Sequence, residues 1–222
     1  MFSTYGSPIL FNILGVIVSY LLGSIPTSVW IGRIFYGIDI REHGSGNAGT
    51  TNTFRVLGIK AGIPVFIIDV LKGWAAVHLI YFSNYYIPQS GWYINIELLF
   101  GISALLGHIF PIYVGFRGGK GVATLLGIVI ALHPLAAAIS AGIFVITLII
   151  SKYVSLSSMI AGFSFPILII VIFETTTLSL IIFSLIISVL LLFTHQKNIE
   201  RLFAKEESKA NLKIKRKNKF RY

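Results

Sequence analysis

The sequence contains no cysteine. That removes thiol nucleophiles, thiolate metal sites and disulfides from consideration, and leaves the redox compartment open. Charge is scarce too. Asp, Glu, Lys and Arg together make up 12% of the chain, about half the share a soluble domain carries. Acidic residues number only 8, against 18 basic ones, and no group of Asp, Glu and His has the spacing of a metal site. Neither a metal nor a cofactor is expected. No charged residue precedes Arg33. The basic start of a cleavable signal peptide is therefore missing, and the first apolar stretch reads as a retained span with its N-terminus outside.

What the chain has instead is hydrocarbon. It is 55% hydrophobic, with a mean hydropathy of +0.85, and its 222 residues suit one domain. Apolar stretches run over residues 8–31, 61–82, 94–113, 122–132, 134–150, 156–173 and 177–193. A crossing needs about 20 residues, fewer inside a bundle. The ambiguous stretch is residues 121–151, an uncharged run of 31. One helix of that length would measure ~46 Å, against a hydrocarbon core of ~30 Å. His133-Pro134 sits near its middle, and a residue before proline is pushed out of the helical region. Two helices are therefore expected there.

The result is an all-α integral membrane protein of seven transmembrane helices, N-terminus outside and C-terminus cytoplasmic. Charge supports the count. With seven spans the outer loops, residues 83–93, 133–134 and 174–176, contain no Lys or Arg, as the positive-inside tendency requires. With six, the ten basic residues between Lys197 and Arg221 would lie outside. Residues 1–207 are read as a single membrane-embedded domain and 208–222 as a basic cytoplasmic tail. Beside a span, such a tail faces anionic lipid headgroups. Nucleic acid is set aside as a partner, because no aromatic-basic platform accompanies the charge.

Three polar segments interrupt the hydrocarbon, at residues 43–55, 116–121 and 195–201. Seven spans bring all three to one cytoplasmic face, joined there by the turn at 152–155. In the first, Gly44, Gly46 and Gly49 permit positive φ and let backbone N–H groups turn toward an anion. Ser45, Asn47, Thr50, Thr51 and Asn52 add neutral donors, and Arg55 offers a planar fork for phosphate. The Gly44-x-Gly46-x-x-Gly49 spacing matches a dinucleotide fingerprint only superficially, since no strand–turn–helix unit surrounds it. A plain flexible turn is the bland reading. The second segment, Arg117-Gly118-Gly119-Lys120-Gly121, fails as a P-loop: position 114 is Val, and Gly121 stands where Ser or Thr would hold magnesium. A phosphate nest at the start of the Val122 helix, with Lys120 as point charge, is expected instead. Flanking positive charge explains Arg117 equally well, but not the glycines.

The third segment puts His195 and Asn198 at i, i+3 on one helix face. His195 and Glu200 have the spacing of a His-x4-acid relay, but five residues of helix is ~140° of rotation, so the two diverge and are not a relay. Asp69 and Lys72, i and i+3 within the second span, are read as a structural ion pair. His78 is expected to pack, and His108, just before Phe110-Pro111, to brace the second loop.

At these residues the chain resembles a known family. Gly44-Ser45-Gly46-Asn47 through Thr51-Asn52 to Arg55 resembles the first signature of the bacterial acyl-phosphate:glycerol-3-phosphate acyltransferases (PlsY type). Gly107-His108 with Phe110-Pro111, then Gly118 to Thr124, resembles the second. His195-x-x-Asn198-Ile199-x-Arg201-Leu202 resembles the third. The likeness runs from about Gly23 to Glu206. It departs at Ala204-Lys205, where the signature has a glycine.

The resemblance implies seven spans in the bacterial cytoplasmic (inner) membrane, with the active site on the cytoplasmic face. It implies transfer of a fatty acyl group from acyl phosphate to the 1-hydroxyl of sn-glycerol 3-phosphate, yielding lysophosphatidic acid and phosphate, without metal and without acyl-thioester donors. The substrates are then the partners, beside membrane lipids, and the enzyme is expected to act as a monomer. Ser45, Arg55, Lys120, His195 and Asn198 would surround the substrates, with Ser155 near the acyl phosphate. Gly44, Gly46, Asn47, Thr51, Asn52, Gly118 and Gly119 complete the binding set, and His195, Asn198 and Ser45 are the catalytic candidates. The acceptor proton goes to His195 or to a bound phosphate oxygen, the second being favoured; Ser45 as acylated nucleophile lacks a neighbouring base. A carrier for organic phosphate would need polar residues threading the whole bundle and inverted repeats. A phosphatidyl-alcohol transferase would need metal-holding carboxylates. The sequence offers neither.

Overall fold

A computed structural model describes residues 7–88 and 90–210. The basic tail read from residue 208 onward thus falls almost entirely outside the described residues. Among those described, all regular structure is helical. The chain opens with α1 (Pro8–Ser24) and α2 (Thr27–Tyr36), broken at Ile25-Pro26. The short α3 (Thr50–Val56) then leads into α4 (Ile59–His78), followed by α5 (Gly91–Ile109). Next come α6 (Val122–Leu132), α7 (Pro134–Ser151) and α8 (Val154–Ile167), the last running into a π-helical turn at Leu168–Ile172. The bundle ends with α9 (Leu178–Thr194) and α10 (Gln196–Phe203), bent 60° from one another.

Local chemistry sets these boundaries. Ser7 accepts from Leu10 N ahead of Pro8 at the start of α1, and Ser90 accepts from Tyr93 N at the start of α5, each satisfying an orphan donor. The expected break at His133-Pro134 is present: His133 leaves helical geometry and its ring nitrogen accepts from Ala136 N, 3.2 Å away.

Five stretches are long and apolar enough to cross a bilayer: Pro8–Tyr36, Ile59–Phe82, Gly91–Val114, Pro134–Ser151 and Val154–Ile172. The bent pair α9–α10 makes up to a sixth. Only α6, with 11 residues, falls short by length. The seven apolar stretches read from the sequence each correspond to one of these helices.

Burial is arranged for lipid. Large apolar side chains such as Ile34, Phe82 and Ile150 point outward, while Ser19, Ser24, Ser28, Ser157, Ser158, Ser184 and Ser188 are buried. Several of these serines bond to carbonyls on their own helix, as Ser157 does to Tyr153 O. Without water to drive apolar surface inward, helices associate through close backbone approach between small residues. The α4–α6 crossing depends on this: a Cβ at Gly73 would strike Thr124 O, and one at Gly127 would strike Val70 O. Asp69 and Lys72 lie in that crossing as the expected ion pair, 2.8 Å apart. His78 packs as expected, stacked on Trp74.

Candidate active site

The three polar segments meet at one end of the bundle. The first is folded around a single side chain. Asn52, fully buried on α3, donates through Nδ2 to Ile40 O, His43 O and Asn47 O, and its Oδ1 accepts from Ser45 N at 2.9 Å. Gly44 and Gly46 adopt the expected left-handed backbone, at φ +62° and +72°; a Cβ at Gly44 would collide with Asn52 Oδ1. The sequence reading is corrected here. Asn52 is not a free donor, and the Ser45 and Gly46 amides, expected to face an anion, are spent inside the loop, the latter on His43 O. Exposed on this frame are Ser45, Thr51 and Arg55, with Asn47 half-buried. Arg55 makes no ion pair among the described residues.

The second segment lies across the end of α5. Gly118 N donates to Ile109 O at 3.1 Å and Gly119 N to His108 O at 3.2 Å, so terminal carbonyls of α5 are satisfied by the loop. The nest expected of Gly118 and Gly119 amides is therefore corrected as well. What these glycines supply is room: a Cβ on either would overlap His108. Gly121 is left-handed, at φ +80°, and caps α6. Arg41, just ahead of the first segment, reaches the second, its Nη1 donating to Val114 O at 2.8 Å and to Arg117 O at 3.4 Å. Asp39 holds Arg41 at 2.7 Å, and hydrogen bonding from Arg41 keeps the Asp39 carboxyl far below the usual carboxylate range.

Lys120 reaches the third segment and hydrogen-bonds Asn198 Oδ1. Asn198 Nδ2 passes the connection to Glu207 Oε1 at 2.7 Å. That oxygen also accepts from Ser155 Oγ at 2.9 Å, and Glu207 Oε2 accepts from Arg201 Nε at 2.7 Å. Ser155, expected near the acyl phosphate, thus has its hydroxyl proton engaged by Glu207. Burial pushes the Glu207 carboxyl up, but the hydrogen bonds from Arg201, Asn198 and Ser155 outweigh it and the net shift is downward.

Sequence reasoning missed Glu207 and Arg201 as site residues. The turn that delivers Glu207 explains why. Lys205 stands at φ +59°, with its N–H on Leu202 O and the Glu206 N–H on Arg201 O, a Schellman turn closing α10. The position calls for glycine, which accounts for the family signature this chain departs from. The only hint was an acidic pair, Glu206-Glu207, set amid basic residues.

His195 is buried at the α9–α10 bend, and its Nδ1 lies 2.8 Å from Leu191 O. A carbonyl accepts only, so Nδ1 carries the proton and Nε2 is left as acceptor. Burial, aided by the Lys120 charge, lowers the His195 pKa to about 4. Glu200 is exposed on the other side of the helix, so the two do diverge. Burial likewise lowers the Lys120 ammonium to about 8, with Arg201 and Arg55 pushing the same way against the pull of Glu207. Lys120 therefore lies in the field of two further cations, Arg201 and Arg55, and of one carboxylate, Glu207, a polar cluster short of negative charge. It suits one or two phosphates. No hydrogen bond among the described residues joins Ser45 to His195.

Comparison with known proteins places this arrangement. A family model, Glycerol-3-phosphate acyltransferase, matches residues 13–205. A glycerol-3-phosphate acyltransferase of Listeria welshimeri is 47% identical over 193 residues, covering 87% of this chain and 93% of that protein. One of Chlorobium phaeobacteroides is 41% identical, covering 86% and 93%. Among solved structures, the glycerol 3-phosphate form of PlsY (YgiH), an integral membrane glycerol 3-phosphate acyltransferase, superposes with a TM-score of 0.81 at 34% identity, covering 90% of this chain and 96% of that one. The lysophosphatidic acid form of the same protein superposes at 0.77.

Proposed function

Since the chain belongs to the glycerol-3-phosphate acyltransferase family, we propose that its three cationic segments form one cytoplasmic site for acyl transfer between two phosphorylated substrates. The protein is a multi-pass membrane enzyme of phospholipid synthesis. It acylates the 1-hydroxyl of sn-glycerol 3-phosphate from acyl phosphate, releasing lysophosphatidic acid and inorganic phosphate. All seven apolar helices cross the bilayer, α6 as a short, protein-surrounded span, with the N-terminus outside. Residues 1–207 act as one domain, as a monomer.

One observation supports the site above all: Lys120 of the second segment hydrogen-bonds Asn198 of the third, which with Ser155 and Arg201 is held by Glu207, beside the buried imidazole of His195. Both substrates are anions, and their mutual repulsion is the first barrier. Lys120 and Arg55 neutralise it, while Glu207 holds Arg201, Asn198 and Ser155 in register. The acyl phosphate already contains a good leaving group, so orientation and charge stabilisation supply most of the acceleration. The acceptor hydroxyl attacks the carbonyl carbon, the C–O bond to phosphate breaks, and the phosphate departs with the electron pair.

The hydroxyl proton then needs an acceptor. A His195 with a pKa of about 4 is a weaker base than a phosphate monoester dianion, whose conjugate acid has a pKa of about 6. Transfer to a phosphate oxygen is thus downhill relative to transfer to Nε2. His195 orients the acceptor by accepting, at Nε2, a hydrogen bond from its other hydroxyl, and the phosphate oxygen takes the proton of the attacking 1-hydroxyl.

The decisive test is purified protein with acyl phosphate and glycerol 3-phosphate in excess chelator, scored for lysophosphatidic acid. Product formation is expected undiminished by chelation. No product in either condition overturns the function, and product only after metal is restored overturns the metal-free site.

A further inference from the structure

The buried Asp69–Lys72 pair plays no part in the site described above, yet side chains join it to that site. Lys72 donates to Ile25 O at 2.9 Å, at the α1–α2 break, and Thr27 Oγ1 donates to Asp69 Oδ1 at 3.1 Å. The same carboxylate oxygen lies 3.8 Å from His108 Nδ1, and Thr124 Oγ1 lies 3.0 Å from that nitrogen. The far side of the imidazole supports the loop: a Cβ at Gly119 would overlap His108 Nε2. The His108 carbonyl takes the Gly119 N–H. A continuous series of contacts therefore runs from the first break in the bundle, across α4, α5 and α6, to the residue preceding Lys120.

A buried ion pair contributes little net stability, because desolvation offsets the attraction. Its effect is geometric. Between the pair and the loop lies a cavity of about 10 Å³, lined by Thr27, Asp69, Lys72, His108, Gly118 and Gly119. That is room for at most one water, so His108 has a single seat. Glycines at 118 and 119 have no side chain with which to find a position of their own, and they take the one that the imidazole sets.

We propose that Thr124, His108 and Asp69 are positioning residues for substrate phosphate: they fix the height of Gly118–Gly119 over α5, and thereby the point at which Lys120 meets the anion. The inference rests on the reading of Lys120 as a phosphate-holding group. Thr124 sits on α6 one turn beyond Lys120, so its bond to His108 clamps the loop from both ends.

The test is Thr124→Val, which removes the hydroxyl at nearly constant volume, with Thr124→Ser as the conservative rescue. It uses the purified full chain. The valine variant is expected to raise KM for glycerol 3-phosphate about tenfold while kcat stays within about twofold. Exchange at the Gly118 and Gly119 amides should quicken by a similar factor, with the melting temperature little changed and serine restoring all three. KM and amide exchange at wild-type values in Thr124→Val would overturn the proposal, whatever the melting temperature does. So would a serine variant that melts normally yet keeps the raised KM. If the valine variant cannot be recovered folded, His108→Gln is read by the same measurements. Amide exchange needs no turnover. A wild-type protein that makes no lysophosphatidic acid would remove the proposed activity while leaving the exchange result to decide the positioning role.

Discussion

Lys120 sits close to the edge of its own charge. Burial has brought its pKa to about 8, so below pH 8 the free enzyme presents an ammonium and above it an amine. Only the ammonium attracts phosphate. The KM for glycerol 3-phosphate should therefore rise as pH passes from 8 to 9.5, and Lys120→Arg should flatten that rise, since a guanidinium keeps its proton throughout. A rise of equal steepness in the arginine variant would assign the titration to another group. His195 gives the opposite signature. A pKa of about 4 keeps it neutral across the working range, so no acid limb near the ordinary imidazole value of about 6.5 belongs to it. Removing its ring should cost both orientation and turnover. If His195 were the proton acceptor, His195→Ala would lower kcat by at least ~10²-fold. On the substrate-assisted route the loss in kcat is smaller, and any acid limb near pH 6 in wild type survives in the variant, because it reports the phosphate. Stopped assays from pH 5 to 8 on both proteins decide between the two. The identity of these residues was legible in the sequence; their protonation was not, because it depends on burial and on cations supplied by distant segments.

At the scale of single elements, the helices and their breaks were the most legible part. Proline at 134 and the 31-residue length of its uncharged run left little choice about the α6–α7 division. Loops were less so, since a polar side chain in sequence does not announce its partner. Asn52 looked like a donor for substrate, but it is the pin around which residues 40–47 are wound. Gly118 and Gly119 looked like amide donors, but their N–H groups close α5. The turn after α10 was hidden for a different reason: its left-handed residue is a lysine. An L-residue in that conformation costs roughly 1–2 kcal/mol, while glycine loses about 0.5–1 kcal/mol more backbone entropy on folding. Lys205→Gly should thus stabilise the protein by a few tenths of a kcal/mol to about 1 kcal/mol, and Lys205→Val should destabilise it. Both substitutions leave Glu207 chemically intact. If the turn matters to the site by aiming Glu207, the glycine variant keeps full activity and the valine variant loses it together with stability. Thermal denaturation and turnover of the two proteins, compared side by side, read this out; equal melting of both would mean the turn carries no strain.

For the whole molecule, the sequence carried its strongest information in parity. An odd number of crossings would put residues 43–55, 116–121 and 195–201 on one face, and the contacts of Arg41, just ahead of the first segment, with Arg117 O and of Lys120 with Asn198 bring the three together at one end of the bundle. Which side of the membrane that end faces is a separate matter, for which charge is the argument: the loops at the opposite end contain no Lys or Arg. The chain lacks cysteine, so every introduced thiol reports alone. Thr51→Cys, Arg117→Cys and Lys197→Cys replace exposed residues, one in each polar segment; Asn84→Cys and Thr176→Cys replace exposed residues at the other end. In intact cells an impermeant maleimide should label the last two and spare the first three, which react only after the membrane is opened. The short α6 is the element at stake. At 11 residues it spans ~16 Å, about half the hydrocarbon thickness, and it can cross only because neighbouring helices carry the water boundary inward around it. Were α6 instead to stay on the cytoplasmic side, leaving α7 as the one crossing of that pair, the third segment would label from outside and Thr176 only from inside, Lys120 and Asn198 could not meet, and the catalytic centre built on their contact would have to be abandoned.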